Sequence, residues 1–167
     1  TYPKDPAALT TYDYRVSEEM DKMDGAYDYD AVISVQWPFG YGLSYTTFGY
    51  DNFRTSADTF TAGDDITLSV DVTNTGTMTG KETVMLFSRD MVASLTPENR
   101  RLRAFRKIEL KPGEKRTVSF NLKGIDLAFV GADGKWILEK GKFRMQAGDK
   151  ILYLECTGTH KWDTQNK

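Results

Sequence analysis

From about residue 50 the chain alternates between apolar and polar positions. Ile66, Leu68, Val70 and Val72 interleave with Thr67, Ser69, Asp71 and Thr73. That period of two predicts a strand with one face in a core and one in water. Asn74-Thr75-Gly76 breaks the run, and Gly80 lies just beyond. Glu82–Ser88 is a second strand, apolar on both faces, and Arg101–Leu110 is a third. Lys111-Pro112-Gly113-Glu114 reads as a turn, because Pro fixes one φ and Gly supplies an unusual one. Arg116–Leu122 alternates again. Asp133-Gly134 signals a hairpin before Trp136-Ile137-Leu138. Gly141 then introduces Phe143, Met145 and Ala147, and Gly148-Asp149 precedes Ile151–Cys156.

About seven short strands with no long helical pattern predict an all-β fold. The expected architecture is an immunoglobulin or fibronectin type III-like antiparallel sandwich. Gly124–Phe129 does not alternate. It is expected to form a turn or a single helical turn across one end, with Leu127 and Phe129 plugging the core.

The first 48 residues are patterned differently. Pro3 and Pro6 interrupt the beginning, Ser17–Met23 suits one or two helical turns, and Gly25–Asp30 is acidic and aromatic. Trp37, Phe39, Tyr41, Leu43, Tyr45 and Phe48 follow among glycines and a proline that exclude a regular helix. Six large side chains without a self-pairing period must bury themselves on another surface. The expected organisation is an extended arm at 1–48, a sandwich at 49–157 and a polar tail at 158–167.

Composition sharpens this division. Eight of the nine tyrosines lie in residues 1–50, with three basic and eight acidic residues, a net of −5. The remainder holds 19 basic and 16 acidic residues, a net of +3, so the whole chain of 167 residues stands at −2. Such a balance lacks the basic excess of a nucleic-acid binder. No apolar run approaches the ~18 residues of a membrane helix. With one Cys and one His, neither an internal disulfide nor the usual zinc site is expected.

Each candidate for chemistry has a plainer reading. The acids Glu18, Glu19, Asp21, Asp24, Asp28 and Asp30 could supply paired carboxylates, but an unsupported arm cannot hold their separation. Asp64, Asp65 and Asp133 lack the spacing of a calcium loop. No metal or cofactor is expected. Cys156 shares the parity of Leu152 and Leu154 and reads as a core group, and His160 as an exposed bystander. Trp136 reads as a core anchor, although it, Trp162 and the tyrosines also suit stacking on sugars.

WPFGYGLSYTTF at residues 37–48 closely resembles the segment that enters the C-terminal domain of family 3 glycoside hydrolases, the β-glucosidase and β-xylosidase group. Further stretches resemble that domain in the same order: GDDITLSVDVTNTG at 63–76, LRAFRKIELKPG at 102–113, Asp126-Leu127-Ala128-Phe129, Trp136, and Gly141-Lys142-Phe143 with Gly148. The resemblance covers about residues 25–156. It implies a piece of a longer retaining enzyme, comprising the tail of an α/β domain and the fibronectin type III-like domain that follows. The nucleophile and acid/base motifs match nothing in this chain. Glu18 and Glu19 fall where a loop of the parent passes near its active site. Arg100–Phe105 departs from the family's usual Lys-Glu-Leu-Lys-Gly-Phe, and residues 157–167 match nothing in it.

The function expected is therefore a non-catalytic, stabilising domain packed against catalytic domains absent from this chain. Family resemblance places the parent in the periplasm or outside the cell. Docking six large side chains would contribute on the order of ten kcal/mol before entropy costs. An arm of this kind can also exchange between two copies. The alternatives are a free-standing carbohydrate-binding or adhesion module, and an autonomous enzyme.

Overall fold

A three-stranded antiparallel sheet carries the alternating pattern that the sequence displays best. Its members are β1 (Phe48–Thr55), β3 (Asp65–Asn74) and β6 (Lys115–Lys123), in the order β1-β3-β6. The computed structural model describes residues 37, 40–95 and 100–163. The chain divides into two units, Thr1–Leu43 and Ser44–Lys167, and the sheets belong to the second.

Across β3 and β6 the inward pairs are Ile66 with Leu122, Leu68 with Phe120, and Val70 with Val118. All six are buried. The outward positions form a polar ladder: Ser69 and Ser119 hydroxyls meet at 2.8 Å, and Thr67 donates to Asn121 at 3.1 Å. Alternation in the sequence is thus alternation of faces.

The facing sheet holds five strands. They are β2 (Thr59–Phe60), β4 (Gly80–Asp90), β5 (Arg101–Leu110), β9 (Gly141–Ala147) and β10 (Lys150–Cys156), in the order β2-β10-β9-β4-β5. Val84, Leu86, Phe143, Met145, Leu154 and Cys156 point from it into the shared core. A small third sheet of β7 (Phe129–Val130), β8 (Trp136–Leu138) and β11 (His160–Lys161) lies beside them. The seven strands of seven or more residues are those of a fibronectin type III-like sandwich, and the other four are two or three residues long.

Three details differ from the sequence reading. β1 starts at Phe48, inside the segment read as arm. It was not legible as a strand because a bulge shifts its register between Asp51 and Arg54, and Asn52 sits at φ 50°. Gly124–Leu127 forms the expected single turn, of 3-10 type, with Leu127 buried. The second plug there is Ala128, at 0 % exposure, whereas Phe129 is half-buried in β7. Finally, residues 160–162, expected in the polar tail, are joined to the third sheet. β11 pairs with β8, and Trp162 N–H donates to Trp136 O at 3.0 Å.

The two sheets are bridged at their edge by Tyr50, whose hydroxyl donates to Glu82 Oε1 at 2.6 Å. Burial, with Glu82 next in effect, pushes the Tyr50 phenol far above its usual range. Its ring lies flat against Gly148, which has φ +59° and no room for a Cβ. Gly113 has a similar φ of +74° but open space around it. Gly148→Ala is expected to cost about 2–4 kcal/mol, combining left-handed strain with the Tyr50 overlap, against about 1 kcal/mol for Gly113→Ala. Urea unfolding of both variants checks the ranking, and equal costs would contradict the close approach.

Candidate functional site

The chain reaches the sandwich through Ser44–Thr47, and this segment is locked at Asn74. Asn74 is fully buried at the end of β3. Its side-chain Oδ1 accepts from the Thr46 hydroxyl at 2.7 Å and from Gly76 N–H at 3.1 Å. Its Nδ2 donates to Met78 O at 2.7 Å and Leu110 O at 2.9 Å. Its own N–H donates to Glu114 O, and its carbonyl accepts from Gly113 N–H. Every polar group of the residue is therefore used, as burial requires. Thr75 N–H donates to Thr47 O at 2.9 Å alongside. Gly76 and Gly80 leave the space that Thr46 occupies, since a Cβ at either would overlap its side chain.

The expected docking strip begins just upstream. Trp37 and Tyr41 stack with centroids 6.5 Å apart and an interplanar angle of 28°. Leu43 is 93 % exposed and Tyr45 95 % exposed, values rare for such side chains unless something covers them. Phe48 is different. It is half-buried and packs against the core of the sandwich itself, so it is not free to dock elsewhere. Phe39, Glu18 and Glu19 lie outside the described residues, as do the turn expected at 17–23 and the acidic stretch at 25–30.

The other candidates take structural roles. Cys156 is buried with its thiol donating to Gly158 O at 3.2 Å, and burial pushes that thiol up. Trp136 is half-buried against the core. His160 is exposed and meets the Trp162 ring edge-on at 4.4 Å. Asp64 holds its turn by accepting from Thr61 N–H and hydroxyl, and Asp133 accepts from Lys135 N–H. Among the described residues no three metal-ligating side chains come together.

Two carboxylates are strongly perturbed. Asp71, on the outer face of β3, accepts from the Thr117 hydroxyl at 2.7 Å and lies 3.2 Å from Lys115 and 3.4 Å from Arg54. The Thr117 hydrogen bond, outweighing burial and helped by Asn52 and the two cations, holds it far below the carboxylate range. Asp90, at the end of β4, is raised to about 6, chiefly by burial. A raised acid beside a second carboxylate can mark catalysis. Here Asp90 Oδ1 accepts from Val92 N–H, and Glu139 Oε2 accepts from Ser94 N–H, so both hold the loop that follows β4.

The three- and five-stranded sheets, packed face to face without a disulfide, define the class as a fibronectin type III sandwich. Residues 82–151 match the family described as fibronectin type III-like domain, and that stretch is such a domain. The chain is 43 % identical over 112 residues to a β-xylosidase of Formosa agariphila, covering 67 % of this chain and 16 % of the relative. It is 38 % identical over 131 residues to a periplasmic β-glucosidase of Salmonella typhimurium, covering 78 % and 17 %. Its fold is similar to part of a β-glucosidase structure from Erythrobacter marinus, with TM-score 0.74, 31 % identity, and coverage of 86 % and 20 %. The relatives are thus named as β-xylosidases and β-glucosidases, and the chain spans about a sixth of the length of the curated ones it matches. Among the described residues no helix is long and apolar enough to cross a membrane.

Sequence reasoning found the turn at 74–76 and the apolar strip, but not the Thr46–Asn74 lock between them. Asn in an Asn-x-Gly turn was the available signal, and it is shared by many exposed turns. Thr46→Val should cost about 1–2 kcal/mol, leaving Asn74 Oδ1 with one partner. Asn74→Ala should cost about 3–5 kcal/mol, because it strands two carbonyls, a hydroxyl and the Gly76 N–H. Thermal melts of both variants check the order.

The two acids predict opposite pH trends. Asp71 has a lowered folded pKa, so its stabilisation is present above the unfolded value of ~4 and is lost as acid protonates the folded form. Asp90 has a raised folded pKa, so stability falls as pH rises from ~4 to about 6 and is flat above. Asp90→Asn should therefore be the more stable variant at pH near 7, with a flatter profile across that window. Denaturant midpoints across the pH range test this, and an unchanged slope in Asp90→Asn would refute it.

Proposed function

We propose that this chain is a non-catalytic stabilising domain of a longer retaining β-glucosidase-like hydrolase, docked on the catalytic domains of that protein. The observation that carries the reading is the pairing of a locked lead-in with an exposed strip. Thr46 is fixed by Asn74, while Tyr41, Leu43 and Tyr45, within five residues of it, stand in solvent. Tyr45, next to the fixed Thr46, is thereby held at a defined place on the sandwich, which lowers the ordering cost of docking it.

With Phe48 committed to the sandwich, the gross gain is smaller than six side chains would give. Burial of Trp37, Tyr41, Leu43 and Tyr45 contributes about 6–12 kcal/mol before entropy. The partners are the parent's catalytic domains, with no nucleic acid and no membrane. In the isolated chain the same strip favours association with a second copy by arm exchange. The similarity to a periplasmic β-glucosidase supports a periplasmic or secreted parent.

In the intact hydrolase, Tyr41→Ala should lower the melting temperature by several degrees and leave KM for a chromogenic β-glucoside unchanged. A loss of affinity at constant melting temperature would overturn the docking role. The purified 167-residue chain should show no turnover of the same substrate, and turnover by it would end the non-catalytic reading.

A further inference from the structure

The sandwich carries a second candidate site at the opposite end of β3 from Asn74. The ten residues of β3 place the two ends roughly 30 Å apart at ~3.3 Å per step. There a cleft of about 370 Å³ opens between the turn after β2 and the segment that follows β10. Its lining includes Thr61, Gly63, Ile125, Thr159, His160 and Trp162, with no Asp, Glu, Lys or Arg.

Both walls are tied down. On one side Gly124 N–H donates to Asp64 O and Ile125 N–H to Ala62 O, so the 3-10 turn is pinned to the 61–64 turn. Gly124 admits no Cβ against the Thr61 carbonyl, which keeps these pieces in contact. On the other side Thr157 N–H donates to Phe60 O, and Lys140 N–H donates to Thr159 Oγ1 at 2.9 Å. Trp162 N–H is held by Trp136 O, and β11 is paired with β8. The cleft is therefore shaped before any ligand arrives.

Its chemistry selects the ligand. Trp162 and Ile125 offer apolar surface to ring C–H groups. The Thr159 hydroxyl, already accepting from Lys140, keeps its own proton to donate, and an imidazole nitrogen of His160 adds a second polar contact. With no Lys or Arg in the lining, phosphates and carboxylates find no fixed counter-charge. The volume lies at the small end of the ~300–1,000 Å³ typical of ligand sites. We infer that this cleft binds a neutral sugar ring, as one terminal unit of an oligosaccharide. This goes beyond the docking role and does not depend on it.

The glycines supply a clean test. A Cβ on Gly63 or Gly158 would meet nothing within 4 Å, and neither has a left-handed φ. Gly158→Val should therefore fill space at the cleft without straining the fold. The experiment is an amide-resonance titration of the full chain with cellotetraose, and with sorbitol as an open-chain polyol. Expected are saturable shifts at millimolar sugar, centred on Gly63, Gly158, His160 and the Trp162 indole. They should weaken at least tenfold in both Gly158→Val and His160→Ala, while the rest of the spectrum is retained. A flat titration, equal response to sorbitol, or undiminished binding by both variants would each overturn the site. None of these results bears on the strip at 37–45, whose test reads melting temperature in the parent.

Discussion

The structure turns on one buried amide. Asn74 joins four pieces of chain through hydrogen bonds: the lead-in at Thr46, the turn at Gly76–Met78, the end of β5 at Leu110, and the turn at Gly113–Glu114. None of these pieces could satisfy its own groups in the apolar end of a sandwich, and an unpaired buried carbonyl or amide costs a few kcal/mol. One residue type answers all of them, because only a carboxamide offers two donors and two lone pairs at that length. The glycines at 76 and 80 follow from it, since Thr46 must come close enough to bond. So does the point at which the preceding chain leaves the sandwich, which is fixed to within a hydrogen bond.

The sequence was most legible where period and burial coincide. β3 and β6 alternate faithfully because each has one face in the core and one carrying hydroxyls, and the inward residues are the ones the pattern names. It was least legible where geometry departs from the ideal strand. The bulge at Asp51–Arg54 hides β1, and the two-residue strands β2 and β11 are too short for any period to register. The cleft lining was invisible for another reason. Thr61, Ile125 and Trp162 come from distant parts of the chain, and only the 3-10 turn and β11 bring them together. Of the docking strip, composition disclosed the aromatic residues but could not separate Phe48, which faces the sandwich core, from Tyr45, which faces solvent.

Charge is sorted along the chain in a way that fits this architecture. The polar outer face of the three-stranded sheet neutralises its one buried carboxylate, Asp71, with Thr117, Asn52, Lys115 and Arg54 drawn from β1 and β6. A lone buried charge there would be costly, and four partners from two neighbouring strands make it a register marker for the whole sheet. Asp90 has no such shell. Burial leaves it closer to neutral, and the loop after β4 uses it as an acceptor instead.

These constraints divide the sandwich by its ends. One end is spent on holding the lead-in, with a fully satisfied polar core around Asn74 and little freedom for anything else. The other end is held mostly by main-chain bonds between turns, with Thr159 Oγ1 accepting from Lys140 N–H and Trp162 resting on the core, which leaves the exposed His160 with the smallest part in the fold. A residue that must satisfy several buried groups cannot also vary to suit a ligand. A cleft framed by backbone bonds can change its lining at small cost to stability, so ligand recognition is compatible with this fold at the far end of β3 and not at Asn74.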